Sequence, residues 1–162
     1  MKLSPEGRAV LTRLEGSRAK MYKDVMGLPT IGVGHLLSRS ELFSGKLYIA
    51  GEPVRWSEGL TTEQIDALLA QDIKPVEDIV STATGELLGC QFDALVSFTF
   101  NVGANAFLNS TLLKLIRSQD LIAIPAQLRR WTRAGGKVVQ GLVNRREVEI
   151  KMWRGVYELS AT

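Results

Sequence analysis

Histidine and cysteine are almost missing: the 162 residues hold one of each, His35 and Cys90. With a single cysteine no intrachain disulfide can form, which points to a reducing compartment or to indifference to oxidation. Cys90 lies in a largely apolar run, Leu87-Leu88-Gly89-Cys90-Gln91-Phe92. A buried, inert thiol is expected there, because an activated thiolate needs a basic, partly exposed setting. Metal-ligand spacing is absent, so no metal is expected. GxGxxG, P-loop, HExxH, CxxC and GxSxG patterns are missing as well. Nucleotide chemistry, metal-dependent hydrolysis and Ser or Cys nucleophiles are therefore set aside, and no cofactor is expected. No zinc finger, RNP aromatics or clear recognition helix is present, so no nucleic-acid partner is expected.

Long apolar runs are also lacking. None approaches the ~20 residues of a membrane span, and Met1-Lys2-Leu3-Ser4-Pro5-Glu6 holds no apolar signal core. Stable membrane insertion is not expected. What is present is ordinary for a globular chain: 45% hydrophobic and 23% charged residues. The length suits about one domain of roughly 100–150 residues. Twenty Lys and Arg against 17 Asp and Glu give a net charge of +3. That excess suits an anionic polymer such as nucleic acid, cell-wall polymer or lipopolysaccharide, without choosing among them.

There is no internal repeat. Ser4-Pro5-Glu6 predicts a helix start, with an N-cap, a proline at the first helical position and an acid in the first turn. Gly16 ends it, which puts Glu15 at the helix C-terminus. Residues 17–36 interleave Tyr22, Ile31 and Val33 with Gly27, Pro29, Gly32 and Gly34, the pattern of a hairpin or small sheet. Residues 37–59 read as loops with at most one short helix or strand. Thr61 and Gln64 have capping-box spacing and open a helix to about residue 80, kinked at Pro75. Residues 87–102 are apolar on nearly every face and predict a buried central helix. Ser110 or Asn109 caps a further helix, Asp120 another, Ala134-Gly135-Gly136 is a break, and a last helix runs from about 141 to 158. The class is α+β.

Carboxylates remain as chemistry. Glu15 follows Leu14 just before the glycine-rich hairpin; Asp24 comes nine residues on and Thr30 six after that. A carboxylic acid beside apolar groups can keep its proton and protonate a leaving oxygen. A second carboxylate on a polar turn stays ionised, and a neighbouring hydroxyl helps hold a water. Two carboxylates in unlike environments are what acetal hydrolysis requires. Spacing alone favours the plainer reading, a surface acid at a helix end and an aspartate in a turn.

The ordered motifs add more. Glu15-Gly16, Tyr22-x-Asp24 and Gly27-x-x-Thr30-Ile31-Gly32-x-Gly34-His35 resemble the catalytic segment of the phage-type lysozymes, glycoside hydrolase family 24. Gln91-Phe92-Asp93-Ala94-Leu95, Phe100-Asn101-Val102-Gly103, Asn109-Ser110-Thr111-Leu112-Leu113, Arg129-Arg130-Trp131 and Gly141-Leu142-x-Asn144-Arg145-Arg146-x-x-Glu149 are similar, in order, to its C-lobe motifs. The resemblance implies a lysozyme-like fold in one domain over 1–162. A small hairpin-containing N-lobe (about 15–60) is joined by a linking helix (about 61–80) to an all-helical C-lobe (about 81–162) packed with helix 4–14.

It further implies an endolysin cutting the β-1,4 bond between N-acetylmuramic acid and N-acetylglucosamine in peptidoglycan. Glu15 would be the general acid, and Asp24 with Thr30 would position water, although Asp24 acting as a covalent nucleophile stays open. By matching position Leu36, Phe100, Asn101 and Ser110 would contact substrate, with core packing, a structural hydrogen bond and N-capping as the respective alternatives for the last three. His35 would pair with Asp72 in a structural role. Arg129, Arg130, Arg145 and Arg146 read as a solvated basic face with ion pairs to Glu149. A monomer is expected, acting on the wall in the periplasm after release from the host cytoplasm by a separate holin, since some relatives carry an N-terminal anchor and this N-terminus has none. A lytic transglycosylase, which needs Glu15 but no water-holding pair, and a non-enzymatic wall-binding module are the competing readings.

Overall fold

Ser4 starts the first helix and ties it to the molecule. In the computed structural model, which describes residues 1–159, α1 runs Pro5–Glu15. The Ser4 hydroxyl accepts the Gly7 N–H at 3.0 Å, an N-cap. It donates in turn to the Asp93 carboxylate. Ser4 N–H also donates to Asp93 Oδ1 at 3.0 Å, and the Tyr157 hydroxyl donates to Asp93 Oδ2 at 2.7 Å. Asp93 is buried, and these three donors offset its desolvation. The approach is close enough to require glycine at position 7: a Cβ there would stand 2.7 Å from Asp93 Cγ.

The chain divides into two compact units, Thr12–Pro75 and Met1–Leu11 with everything from Val76 on. In the first, α1 stops at Gly16, whose φ of +76° is left-handed. Three antiparallel strands follow: β1 (Arg18–Lys23), β2 (Pro29–Gly32) and β3 (His35–Leu36), in that order across the sheet. Tyr22 faces Thr30, Thr30 faces Leu36 and Ile31 faces His35 in the register. β2 is the buried middle strand, and β1 is an exposed edge.

Residues 37–59 are more regular than their composition suggests. Helix α2 (Arg39–Ser44) opens on a capping box between Ser38 and Glu41. Strands β4 (Lys46–Ile49) and β5 (Glu52–Arg55) form a hairpin. Its two loop residues, Ala50 and Gly51, both have positive φ, the type I′ pattern that matches strand twist. Leu47 and Ile49 alternate inward and join Ile31, Leu37, Leu60 and Leu68 in the core of this unit. So the expectation of loops with one short element is corrected to a helix and a hairpin, the hairpin anchored by that core.

Helix α3 (Thr62–Thr84) carries the predicted capping box, Thr61 N–H to Gln64 Oε1 at 2.9 Å and Gln64 N–H to Thr61 Oγ1 at 3.1 Å. It continues as one helix through Pro75. In the second unit α4 (Gly89–Val102) is the central element, with Phe92 through Thr99 all buried. Around it come α5 (Ala104–Leu108), α6 (Thr111–Arg117), α7 (Ile124–Leu128) and α8 (Gln140–Trp153), which packs along α4. A two-residue ribbon, β6 (Arg133–Ala134) with β7 (Lys137–Val138), turns at Gly135-Gly136 where the sequence predicted only a break. Asp120 makes no side-chain cap; a 3-10 turn at Leu121–Ala123 precedes α7. α8 ends at Trp153, five residues before the predicted 158. Trp131 meets Phe98 edge-on at 5.2 Å, and Trp153 is buried.

Candidate active site

Glu15 is the last residue of α1 and is half-buried. Its carboxylate lies against Gly34: a Cβ at that position would be 3.1 Å from Glu15 Oε2. Gly34 also has φ +69°, so both its backbone and its neighbour favour glycine. The turn before β3 thus supports the end of α1.

Asp24 closes the β1–β2 loop. Its Oδ1 accepts the N–H groups of Met26 at 2.9 Å and Leu28 at 2.8 Å. Its backbone N–H donates to Leu28 O at 2.9 Å, and its carbonyl accepts Gly27 N–H at 2.9 Å. Oδ2 has no hydrogen-bond partner among the described residues. Thr30 is buried, and its hydroxyl donates to the same Leu28 carbonyl at 3.0 Å. Leu28 therefore links Asp24 to Thr30, and both side chains are fixed by backbone groups of one short loop. Leu36, exposed on β3, sits directly across the ladder from Thr30.

His35 lies one residue from Gly34 and faces two acids. Its Nδ1 is 2.8 Å from Asp72 Oδ2, and its Nε2 is 3.4 Å from Glu41 Oε2. The Asp72 hydrogen bond raises the His35 pKa above its ordinary 6.5, against the opposing effect of burial. Burial pushes the Glu41 carboxyl up, but the Ser38 N–H, at 2.7 Å, and His35 outweigh it, and the net pKa is lowered. Sequence reasoning passed over Glu41. The available signal was Ser38-x-x-Glu41, a capping box, which fixes Glu41 five residues after the strand that carries His35.

The other sequence-derived candidates belong to the second unit. Phe100 is half-buried and Asn101 exposed at the end of α4. Asn101 Oδ1 accepts from Arg146 Nη2 at 2.7 Å. Ser110 is buried; its hydroxyl donates to Phe107 O at 2.6 Å and accepts Leu113 N–H at 3.0 Å, the N-cap of α6. It borders an open pocket of about 570 Å³ with Asn109, Gln127, Arg130 and Trp131.

Arg145, Arg146 and Glu149 do not form the expected solvated face. All three are buried on α8. Glu149 Oε1 accepts from Ser97 Oγ at 2.9 Å and Arg145 Nε at 3.1 Å, while Oε2 is 2.8 Å from Arg146 Nε. Burial lowers the Arg146 pKa and raises that of Glu149. The pairs themselves follow the i,i+3 and i,i+4 spacing; the burial comes from α4, fifty residues away in sequence. Arg129 instead forms a surface pair with Glu147, bidentate at 2.6 and 3.1 Å. Among the described residues no group of three or more His, Cys, Asp and Glu is arranged for a metal, and no helix is long and apolar enough to cross a membrane.

Residues 12–149 match the family described as phage lysozyme. The chain belongs to the phage lysozyme family. It is a peptidoglycan-hydrolysing enzyme of that family. A SAR-endolysin of Bacteriophage PS119 is 41% identical over 138 residues, 84% of this chain and 74% of the relative. The solved endolysin from Escherichia coli O157:H7 phage FAHEc1 superposes with a TM-score of 0.80 at 30% identity, covering 98% of this chain and 97% of its own. The muramidase domain of SpmX from Asticaccaulis excentricus gives a TM-score of 0.74 at 31% identity over 94% and 97%. The lysozyme-like α+β fold expected from the sequence agrees with these relatives.

Proposed function

We propose that the chain is a muramidase endolysin that hydrolyses the β-1,4 bond between N-acetylmuramic acid and N-acetylglucosamine, with Glu15 as general acid and Asp24 and Thr30 holding the attacking water. The observation that carries the reading is the shared use of Leu28. One backbone carbonyl fixes the Thr30 hydroxyl while the Leu28 N–H fixes one oxygen of Asp24. The kinship with a domain named for muramidase activity supports the choice of bond.

The chemistry follows from the hydrogen-bond inventory. Glu15 gives its proton to the glycosidic oxygen as the bond to the muramic C1 breaks, and positive charge builds on the ring. General acid help of this kind is worth about 10²–10⁴-fold. Asp24 meets that charge with Oδ2, since Oδ1 is committed to the loop. Thr30 has spent its one proton on Leu28 O, so toward water its oxygen can only accept. A water that donates one hydrogen to Asp24 and one to Thr30 keeps a lone pair for C1. As the new C–O bond forms, Asp24 takes a water proton, and exchange with solvent restores both carboxyl groups.

Hydrolysis in isotope-labelled water tests this directly. Label at the new reducing muramic end supports water as nucleophile; unlabelled 1,6-anhydro ends belong to a transglycosylase and contradict it. The anomer first released separates inversion by water from a covalent Asp24 intermediate. Action as a monomer on the wall in the periplasm, after release by a separate holin, completes the proposal. Sedimentation of the pure protein and lysis of cells expressing it with and without a holin test those two parts.

A further inference from the structure

Four apolar side chains stand in solvent at one end of the β1–β2 hairpin. Val25 is fully exposed, Met26 is 79% exposed, and Leu28 and Met21 are 47% and 41% exposed. The turn itself does not need them. It is built from backbone groups: Asp24 Oδ1 accepts the N–H of Met26 and of Leu28, Gly27 N–H donates to the Asp24 carbonyl, and Gly27 takes a left-handed φ of +77°. Polar side chains at 25 and 26 would serve the fold equally well. Beside this tip, every charged residue of β1 is a cation: Arg18, Lys20 and Lys23. All three are exposed, and none has an ion-pair partner among the described residues. Arg18 instead lies over the Tyr22 ring at 4.7 Å. The one acid of the hairpin, Asp24, has an oxygen committed to the loop. Glu58, on the 3-10 turn packed against β1, is paired with Arg55.

We propose that this end of the hairpin is a docking surface for anionic lipid, with Val25, Met26 and Leu28 entering the headgroup boundary and Lys20 and Lys23 meeting the lipid phosphates. An apolar tip flanked by unpaired cations is what a peripheral lipid contact requires. A bilayer sets an anionic layer directly over an apolar one, so both halves of the patch are met at once. A glycan strand with acidic stem peptides offers the anions without the apolar layer. The loop that docks also holds Asp24, so a lipid-bound molecule and a hydrolysing one are alternative states. That consequence alone rests on the muramidase reading above.

Co-sedimentation of the full chain with lipid vesicles tests it. Vesicles of phosphatidylglycerol in phosphatidylcholine should bind the protein, and pure phosphatidylcholine should bind it much more weakly, with the difference shrinking as salt rises. Lys20→Gln and Lys23→Gln should each weaken binding about fivefold, the equivalent of ~1 kcal/mol per cation. Val25→Ser combined with Met26→Ser should weaken it about tenfold or more. Both side chains stand in solvent, so Tm should stay within a degree or two of the wild type. Equal binding to the two kinds of vesicle, or unchanged binding by the serine double variant, overturns the proposal. So does a wild type that ignores vesicles but is released from insoluble peptidoglycan by the same substitutions, which assigns the patch to the wall. These readouts need no turnover, so they stand or fall apart from the hydrolytic reading. Saturating anionic vesicles should also slow the release of soluble fragments from peptidoglycan by the wild type. An unaltered rate contradicts docking through the Asp24 loop.

Discussion

Gly34 leaves its side-chain position open to the Glu15 carboxylate. A Cβ at 34 would be 3.1 Å from Oε2 and 3.5 Å from Cδ. Two elements nineteen residues apart in sequence thus meet at the proposed acid, and a side chain at position 34 would press on the carboxylate. Gly34→Ala should strain a left-handed backbone by about 1–2 kcal/mol and displace the carboxylate by a few tenths of an ångström. Because positioning errors approaching 1 Å can cost about 10²-fold, we expect activity to fall roughly ten- to a hundredfold while the protein stays folded. Turnover and Tm measured on the same preparation check it; full activity would mean the carboxylate need not stay where Gly34 sets it.

Asp24→Asn separates charge from architecture. The asparagine oxygen can still accept from Met26 and Leu28, so the loop should stand. Only the outward oxygen becomes an amide, which cannot take a water proton. Activity should drop about 10²-fold or more, with Tm within a degree or two of the wild type. A large loss of Tm would show that the carboxylate mainly holds the loop.

The His35 cluster makes stability depend on pH in two directions. His35 has a raised folded pKa, so its contribution is complete below the ordinary 6.5 and fades as pH rises through the folded value. Glu41 has a lowered one, so its contribution is complete above 4.5 and fades as pH falls through its folded value. The cluster should therefore stabilise most between about pH 4.5 and 6.5. His35→Gln should cost about 1–2 kcal/mol in that window, allowing for partial solvent screening of a charged hydrogen bond, and less at pH 9. Urea unfolding of both proteins at pH 5.5 and 9 checks the sign. Equal losses at the two values would contradict it.

Glu149 compensates two buried arginines. Glu149→Ala removes the carboxylate that meets the fully buried Arg146 and should cost about 3–5 kcal/mol. A change below ~1 kcal/mol in chemical denaturation would place the true counter-charge elsewhere.

What the sequence made legible was local chemistry. Ser4-Pro5-Glu6, Gly16, the Thr61–Gln64 capping box and the apolar run of α4 each carry their structural cause within a few residues. The Glu15, Asp24 and Thr30 spacing was visible too, but not the Leu28 bridge, since a backbone carbonyl has no sequence signature. The β4–β5 hairpin stayed hidden because only Leu47 and Ile49 mark its buried face, and because Ala50 occupies a turn position where Asn or Gly would have signalled it. The Arg145, Arg146 and Glu149 group looked solvated for a related reason. Helical spacing reveals who pairs with whom along α8, whereas burial is imposed by Ser97 and Phe98 from α4.

Glu15 is proposed to supply the proton for hydrolysis of the glycan strand. The decisive measurement is mass spectrometry of soluble fragments from purified peptidoglycan treated with the wild type or with folded Glu15→Gln. The wild type should release muropeptides with ordinary reducing muramic ends, and release by the variant should be slowed at least about 10²-fold. Equal release by the two proteins, or anhydro-muramic ends from either, would contradict it.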